Sequence, residues 1–152
     1  MSNKKIAFIL GIIFFVTGVL TLPHYGINWD TINHLPRGQA YLHYFLTGQK
    51  DYKDLPVSKI IWQKPESLFI DTNISRNEAM ERSYYQVDGM NFNWWMQYDG
   101  RGHPPLSDIL SSLFNYILFN RLGLINDIDS YRVYSIFLAA SLIGLIFFWI
   151  GN

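Results

Sequence analysis

The sequence predicts an all-α integral membrane protein with three transmembrane helices and a long extracytoplasmic loop that carries short interfacial helices. Two uncharged apolar runs, residues 6–22 and 133–150, bracket a polar middle, and a third, amphipathic segment begins after Pro104 and Pro105. An uncharged run of about 17–25 residues is what a helix needs to cross the hydrocarbon layer.

The first run, IAFILGIIFFVTGVLTL, follows Lys4 and Lys5 directly. A basic flank before an apolar run is shared by membrane anchors and secretory leaders, but Pro23, His24 and Tyr25 follow here instead of a small-residue cleavage site. Residues 1–22 are therefore read as a first transmembrane helix with a cytoplasmic N-terminus. The last run, VYSIFLAASLIGLIFFWI, has Tyr131 and Tyr134 at one edge and Trp149 at the other. Aromatic side chains at both edges suit the two membrane interfaces. A helix apolar all round also needs a larger core than this chain offers.

Residues 104–124 are less pure. Leu106, Ile109, Leu110, Leu113, Phe114, Ile117 and Leu118 recur at helical spacing, while Ser107, Ser111 and Asn115 mark another face. The two prolines suit a helix start, and Asp108 near it complements the positive end of the helix dipole. A second crossing here puts Arg121 and Arg132 on the same side as Lys4 and Lys5, with 125–132 as a cytoplasmic link. The polar stripe then faces protein or water and not lipid. The expected path is three crossings, with the N-terminus inside.

Composition narrows the function. Twelve Lys and Arg balance twelve Asp and Glu, so there is no basic excess to neutralise nucleic acid. Without cysteine there is no disulfide, thiolate nucleophile or thiolate-bound zinc. Phosphate-cradling glycine loops, the nucleophile elbow and the zinc-protease helix motif are also missing from the sequence.

The candidate chemistry lies in the loop 23–103. Its eight Lys and Arg are compatible with an outer location, because long loops largely escape the positive-inside rule. Pro36 to Leu46 reads as a helix opened by proline and closed by Thr47 and Gly48, with Leu35, Leu42, Phe45 and Leu46 able to lie in the membrane interface. From Lys50 to Asp88 the sequence is mixed and polar. Trp94, Trp95 and Tyr98 then cluster before the next helix, either as an interfacial belt or as the lining of a sugar or lipid head-group site.

A first span, a short link to Asp30, a polar loop and then His103, Pro104, Pro105 and Leu106 opening the next helix form an ordered set. That set resembles the GT-C membrane glycosyltransferases, and more narrowly the protein O-mannosyltransferase and aminoarabinose-transferase-like branch. Arg132 at the start of the last run fits the same branch. Two positions depart from it: Thr31 stands where an acidic pair is frequent, and Asp108 stands where a Lys commonly follows the His-Pro-Pro-Leu motif. The branch has many more spans, so the resemblance implies that this sequence is the N-terminal part of a longer enzyme and inactive by itself.

The implied reaction moves a sugar from a polyprenyl-phosphate carrier in the membrane lipid to a protein, glycan or lipid acceptor on the outer face. Asp30 is the candidate catalytic base, taking the acceptor's proton as it attacks; its competing role is a helix cap. Leaving-group phosphate calls for cationic donors, and Arg37, Arg101 and His103 are the local candidates, with Trp94 and Trp95 as aromatic lining. A divalent metal is conceivable through Asp30, His34 and His103, although their spacing does not call for one. The competing expectation is a small non-catalytic membrane accessory protein whose outer loop binds a partner.

Overall fold

The structure, a computed structural model, describes residues 2–26, 30–56, 68–69, 86–98 and 104–150. The described residues are all-α, with five α-helices: α1 (Asn3–Thr21), α2 (Thr31–Thr47), α3 (Phe92–Tyr98), α4 (Leu106–Asn115) and α5 (Asp127–Ile150). A 3-10 turn, Leu22–His24, extends α1, and a π-helical turn, Tyr116–Arg121, extends α4.

Helices α1 and α5 are long and apolar enough to cross a membrane. With its 3-10 turn, α1 spans about 33 Å and α5 about 36 Å at 1.5 Å per residue. They pack against each other along their length. Gly11 sits against the Ala140 carbonyl and Gly144 against that of Ala7, so each helix uses a missing side chain to admit the other's backbone. Lys4 Nζ lies 5.9 Å from the Phe148 ring at one end of this pair, while Gly18 meets Ile136 towards the other. The helices are therefore antiparallel. Their outward faces stay apolar, with Phe8 at 70% and Leu145 at 63% exposure, a surface that water disfavours.

The expected second crossing over 104–124 is corrected. Among the described residues only two helices reach spanning length and apolarity. From Leu106 to Arg121 the helical path covers about 24 Å, short of the roughly 30 Å hydrocarbon layer. The reason lies in its polar stripe, because Asp108, Ser112 and Asn115 are all buried, at spacing that forms one face against α2 and α5. Leu106 and Ile117 point outward instead. The polar face thus packs against protein, and the apolar residues divide, since Phe114 and Leu118 pack on the core of Leu22, Ile125 and Val133 and Phe119 is buried. Ser107 is exposed and Ser111 only partly covered, so of the three polar residues that the spacing marked only Asn115 is buried. Because α1 and α5 are antiparallel, the segment 125–132 lies beside Tyr25 and Gly26, and not at the Lys4 end where three crossings put it.

Helix α2 begins five residues earlier than expected, and Pro36 sits inside it. Its end is as expected: Gly48 takes φ 75°, and its N–H donates to the Tyr44 carbonyl. Leu35 and Leu42 are buried, whereas Phe45 and Leu46 are exposed. Helix α5 opens with a reciprocal cap. Asn126 Oδ1 accepts the Asp129 N–H at 2.9 Å, and Asn126 Nδ2 donates to Asp129 Oδ2 at 2.8 Å. Asn115 Nδ2 reaches across to the Asp127 carbonyl, Asp127 Oδ1 and Ser130 Oγ at 3.0, 2.7 and 2.8 Å, fixing α4 on this cap.

Candidate functional site

The polar groups of α2 and α4 converge because Gly38 has no side chain. A Cβ there meets the Asp108 carbonyl and Ser112 Oγ at impossible separations, so glycine sets the approach of the two helices. One residue before it, Arg37 Nε donates to Asp108 Oδ2 at 2.6 Å. Both side chains are buried, and the guanidinium lies 5.7 Å from the centre of the Trp95 ring. One turn earlier on α2, His34 Nδ1 is 3.0 Å from Asp108 Oδ1 and 2.8 Å from Arg37 Nη2. Ser107 Oγ adds a longer contact of 3.4 Å to the same carboxylate oxygen.

Asp30 is one further turn back, on the His34 face of the helix. It holds the N-cap position of α2, where its carbonyl accepts the N–H groups of Asn33 and His34, both at 3.0 Å. Its side chain makes no capping hydrogen bond and is exposed. The alternative role of a side-chain cap is thus not performed.

Neighbouring contacts hold this end of α2 on α5. Gln39 Nε2 donates to the Tyr131 hydroxyl, and Leu35 packs on Tyr131 and Ile128. Arg132 Nη1 and Nη2 donate to the Tyr25 and Gly26 carbonyls at 2.9 and 2.7 Å, with Asp129 Oδ1 3.1 Å from Nη1. The chain leaving α1 is therefore fastened shortly before Asp30.

The sequence-derived candidates fall into three groups. Asp30 is an open carboxylate. Arg37 is a buried partner of Asp108, which removes it from the set of outward cations. Trp95 is buried in a cluster with Ala40 and Tyr52, while Trp94 stands edge-on to it and stacks on Tyr98 at 5.1 Å between ring centres. Arg101 and His103 lie outside the described residues. No group of three metal-ligating side chains occurs among the described residues, and of the conceivable ligands only Asp30 and His34 share a helix face there.

Two groups escaped the sequence reading. His34 figures there only as a conceivable ligand, and Asp108 as a dipole partner and a departure from the family motif; with α2 opening at Thr31, the i, i+4 and i+7 spacing of Asp30, His34 and Arg37 puts those three on one helical face. What the sequence did not carry is the pairing with α4, 71 residues away.

A cavity of about 670 Å³ lies elsewhere, along α1 and α5 between Lys4 and Phe148; it is almost wholly apolar and touches none of these groups. No family model, curated protein or solved structure matches this chain.

Proposed function

We propose that the chain works in a membrane glycosyltransferase that moves a sugar from a polyprenyl-phosphate carrier to an acceptor on the extracytoplasmic face, with Asp30 as general base. The observation that carries this reading is the Asp30 carboxylate. It stands at the head of α2, exposed and without a capping bond, six residues beyond the end of the 3-10 turn that closes α1. A carboxylate with no structural duty, held at a membrane boundary, suits proton acceptance from an incoming hydroxyl or amine.

In this reading α1 and α5 are the two spans, with Lys4 and Lys5 holding the N-terminus in the cytoplasm. Helices α2 and α4 then lie together at the outer end of the pair. The exposed Leu106 of α4 and Ile117 of the turn after it support contact of this segment with lipid, because both face away from protein.

The test is Asp30→Asn in the full-length protein in its native membranes, with transfer of a radiolabelled sugar from its polyprenyl-phosphate carrier as the readout. Loss of a general base costs about 10²–10⁴-fold, while exposure of Asp30 predicts normal folding. Unchanged transfer removes Asp30 as the base. If wild-type membranes show no transfer, the enzyme reading itself fails in favour of an accessory protein.

A further inference from the structure

We infer that the groove between α1 and α5 holds an acyl chain of an anionic phospholipid, with the phosphate headgroup at Lys4. This inference rests on α1 and α5 as membrane spans and is independent of any transfer chemistry.

The groove, about 670 Å³, runs from Lys4 and Phe148 at one end to Phe15 and Phe137 at the other. It is deep because its floor is made of small residues: Ala7 and Ala140 are buried, and Gly11 and Gly144 have no side chain to fill it. Midway along, the Ser141 hydroxyl already donates to the Phe137 carbonyl at 2.8 Å. Past Lys4 the lining thus offers apolar contact and no free side-chain donor, which suits hydrocarbon and not a polar ligand.

The length of the groove selects its occupant. From Lys4 to Phe15 helix α1 rises about 17 Å at 1.5 Å per residue. One leaflet's share of the hydrocarbon layer is about 15 Å. At that depth the groove is closed, because Phe15 and Phe137 meet edge to face with ring centres 6.4 Å apart. Phe137 also packs on Phe114 of α4, at 5.7 Å between ring centres. Beyond this level Phe114 and Leu118 pack on Leu22 and Val133, so the protein itself covers the pair there. A crossing helix runs through the whole layer and past this closure, whereas an acyl chain from one leaflet ends at it.

The open end selects the headgroup. Lys4 lines the groove and Lys5 does not, and among the described residues no carboxylate lines it to neutralise that charge. The Lys4 side chain is exposed, with Nζ 5.9 Å from the Phe148 ring. A positive charge at the mouth of an apolar slot one leaflet deep complements a phosphate carried on an acyl chain. With Lys4 in the cytoplasm, the mouth opens into the leaflet that carries the anionic lipids.

The test is native mass spectrometry of the full chain in mild detergent, titrated with phosphatidylglycerol or with phosphatidylcholine of the same acyl chains. One phosphatidylglycerol per chain is expected, bound more tightly than phosphatidylcholine. Lys4→Gln is expected to weaken phosphatidylglycerol about fivefold, the worth of one lysine at an anionic lipid surface, and Lys5→Gln to weaken it less. Ser141→Phe fills the groove and is expected to abolish binding, while Leu142→Phe, at an exposed position outside the groove, is expected to leave it intact; circular dichroism checks that both variants keep their helices. Phosphatidylglycerol with a diazirine at the end of its acyl chain is expected to label the peptides that contain Phe15 and Phe137. Equal affinity for the two lipids, equal loss in the two lysine variants, or unchanged binding by a folded Ser141→Phe overturns the inference. A dimer that Ser141→Phe dissociates gives the groove to a second copy and overturns it too. Release of the chain from membranes by alkaline carbonate overturns the spans and the inference together, whereas an embedded chain that binds no phosphatidylglycerol overturns the inference alone.

Discussion

Arg37 Nε and Asp108 Oδ2 lie 2.6 Å apart, each on a buried side chain, and join helices that are 71 residues apart in sequence. Two charges withdrawn from water hold only while each compensates the other, so the pair behaves as a unit. Asp108→Asn removes the charge that the guanidinium is buried against. We expect a loss of about 3–5 kcal/mol of stability from that single change. The double substitution Arg37→Met with Asp108→Leu is expected to lose less than Asp108→Asn alone, because no charge is then left buried. Unfolding of both variants in detergent, followed by circular dichroism, measures the difference.

Gly38 sets the separation on which that pair depends. Gly38→Ala forces a methyl into the Asp108 carbonyl and Ser112 Oγ, and the backbone carbonyl cannot swing away. Overpacking of this kind costs about 1–3 kcal/mol. Gly89, with no atom near the position of an added Cβ, supplies the control: Gly89→Ala is expected to leave the melting temperature within experimental error. Equal melting temperatures for the two variants contradict the close approach of α2 and α4.

Asn115 is the polar counterpart at the far end of α4. Its amide nitrogen serves the Asp127 carbonyl, Asp127 Oδ1 and Ser130 Oγ inside the protein, and its own oxygen accepts from Asn120 Nδ2 at 3.2 Å. Asn115→Leu keeps the branched shape and removes all three donations. A buried polar group without a partner costs about 1–3 kcal/mol, so this variant is expected to unfold at lower denaturant. Amide exchange of residues 126–130 is expected to quicken with it, since the cap of α5 loses its cover.

These residues also explain what the sequence revealed. The helices α1 and α5 were legible because an uncharged apolar run is a local property, independent of partners. The same rule failed for residues 104–124, where Ser107, Ser111 and Asn115 were read as the polar stripe of a spanning helix, whereas Asp108, Ser112 and Asn115 are the buried polar residues. Their burial depends on Arg37, Gly38 and Asp127, which lie far along the chain or beyond a turn. Asp30 was legible as a candidate because it follows the first span. His34 was not singled out, because an imidazole is defined by what holds its other nitrogen, and that nitrogen is held by a long-range pair. The start of α2 was misread because Pro36 is a common first-turn residue, while here Thr31 opens the helix and Leu35 and Pro36 are already packed in it.

The antiparallel packing of α1 and α5 makes a prediction about sidedness. Lys4 and Phe148 are neighbours, as are the Tyr25 carbonyl and Arg132. Two crossings put the first pair on one side of the membrane and the second pair on the other, whereas three crossings put Lys4 and Phe148 on opposite sides. The chain has no native cysteine, so single cysteines placed at Lys5, Trp149, His24 and Gly48 are unambiguous reporters. In sealed vesicles, an impermeant maleimide is expected to label the cysteines at Lys5 and Trp149 from one side, and those at His24 and Gly48 only from the other. The arrangement has a physical cause in Gly11 and Gly144, each of which admits the partner backbone. Gly11→Leu with Gly144→Leu is therefore expected to separate the helices, and cross-linking of cysteines at Lys4 and Phe148 by a flexible bis-maleimide is expected to slow in that variant. Labelling of the Lys5 and Trp149 positions from opposite sides sinks the two-span arrangement, and with it the location of the Asp30 site at the outer end of the pair.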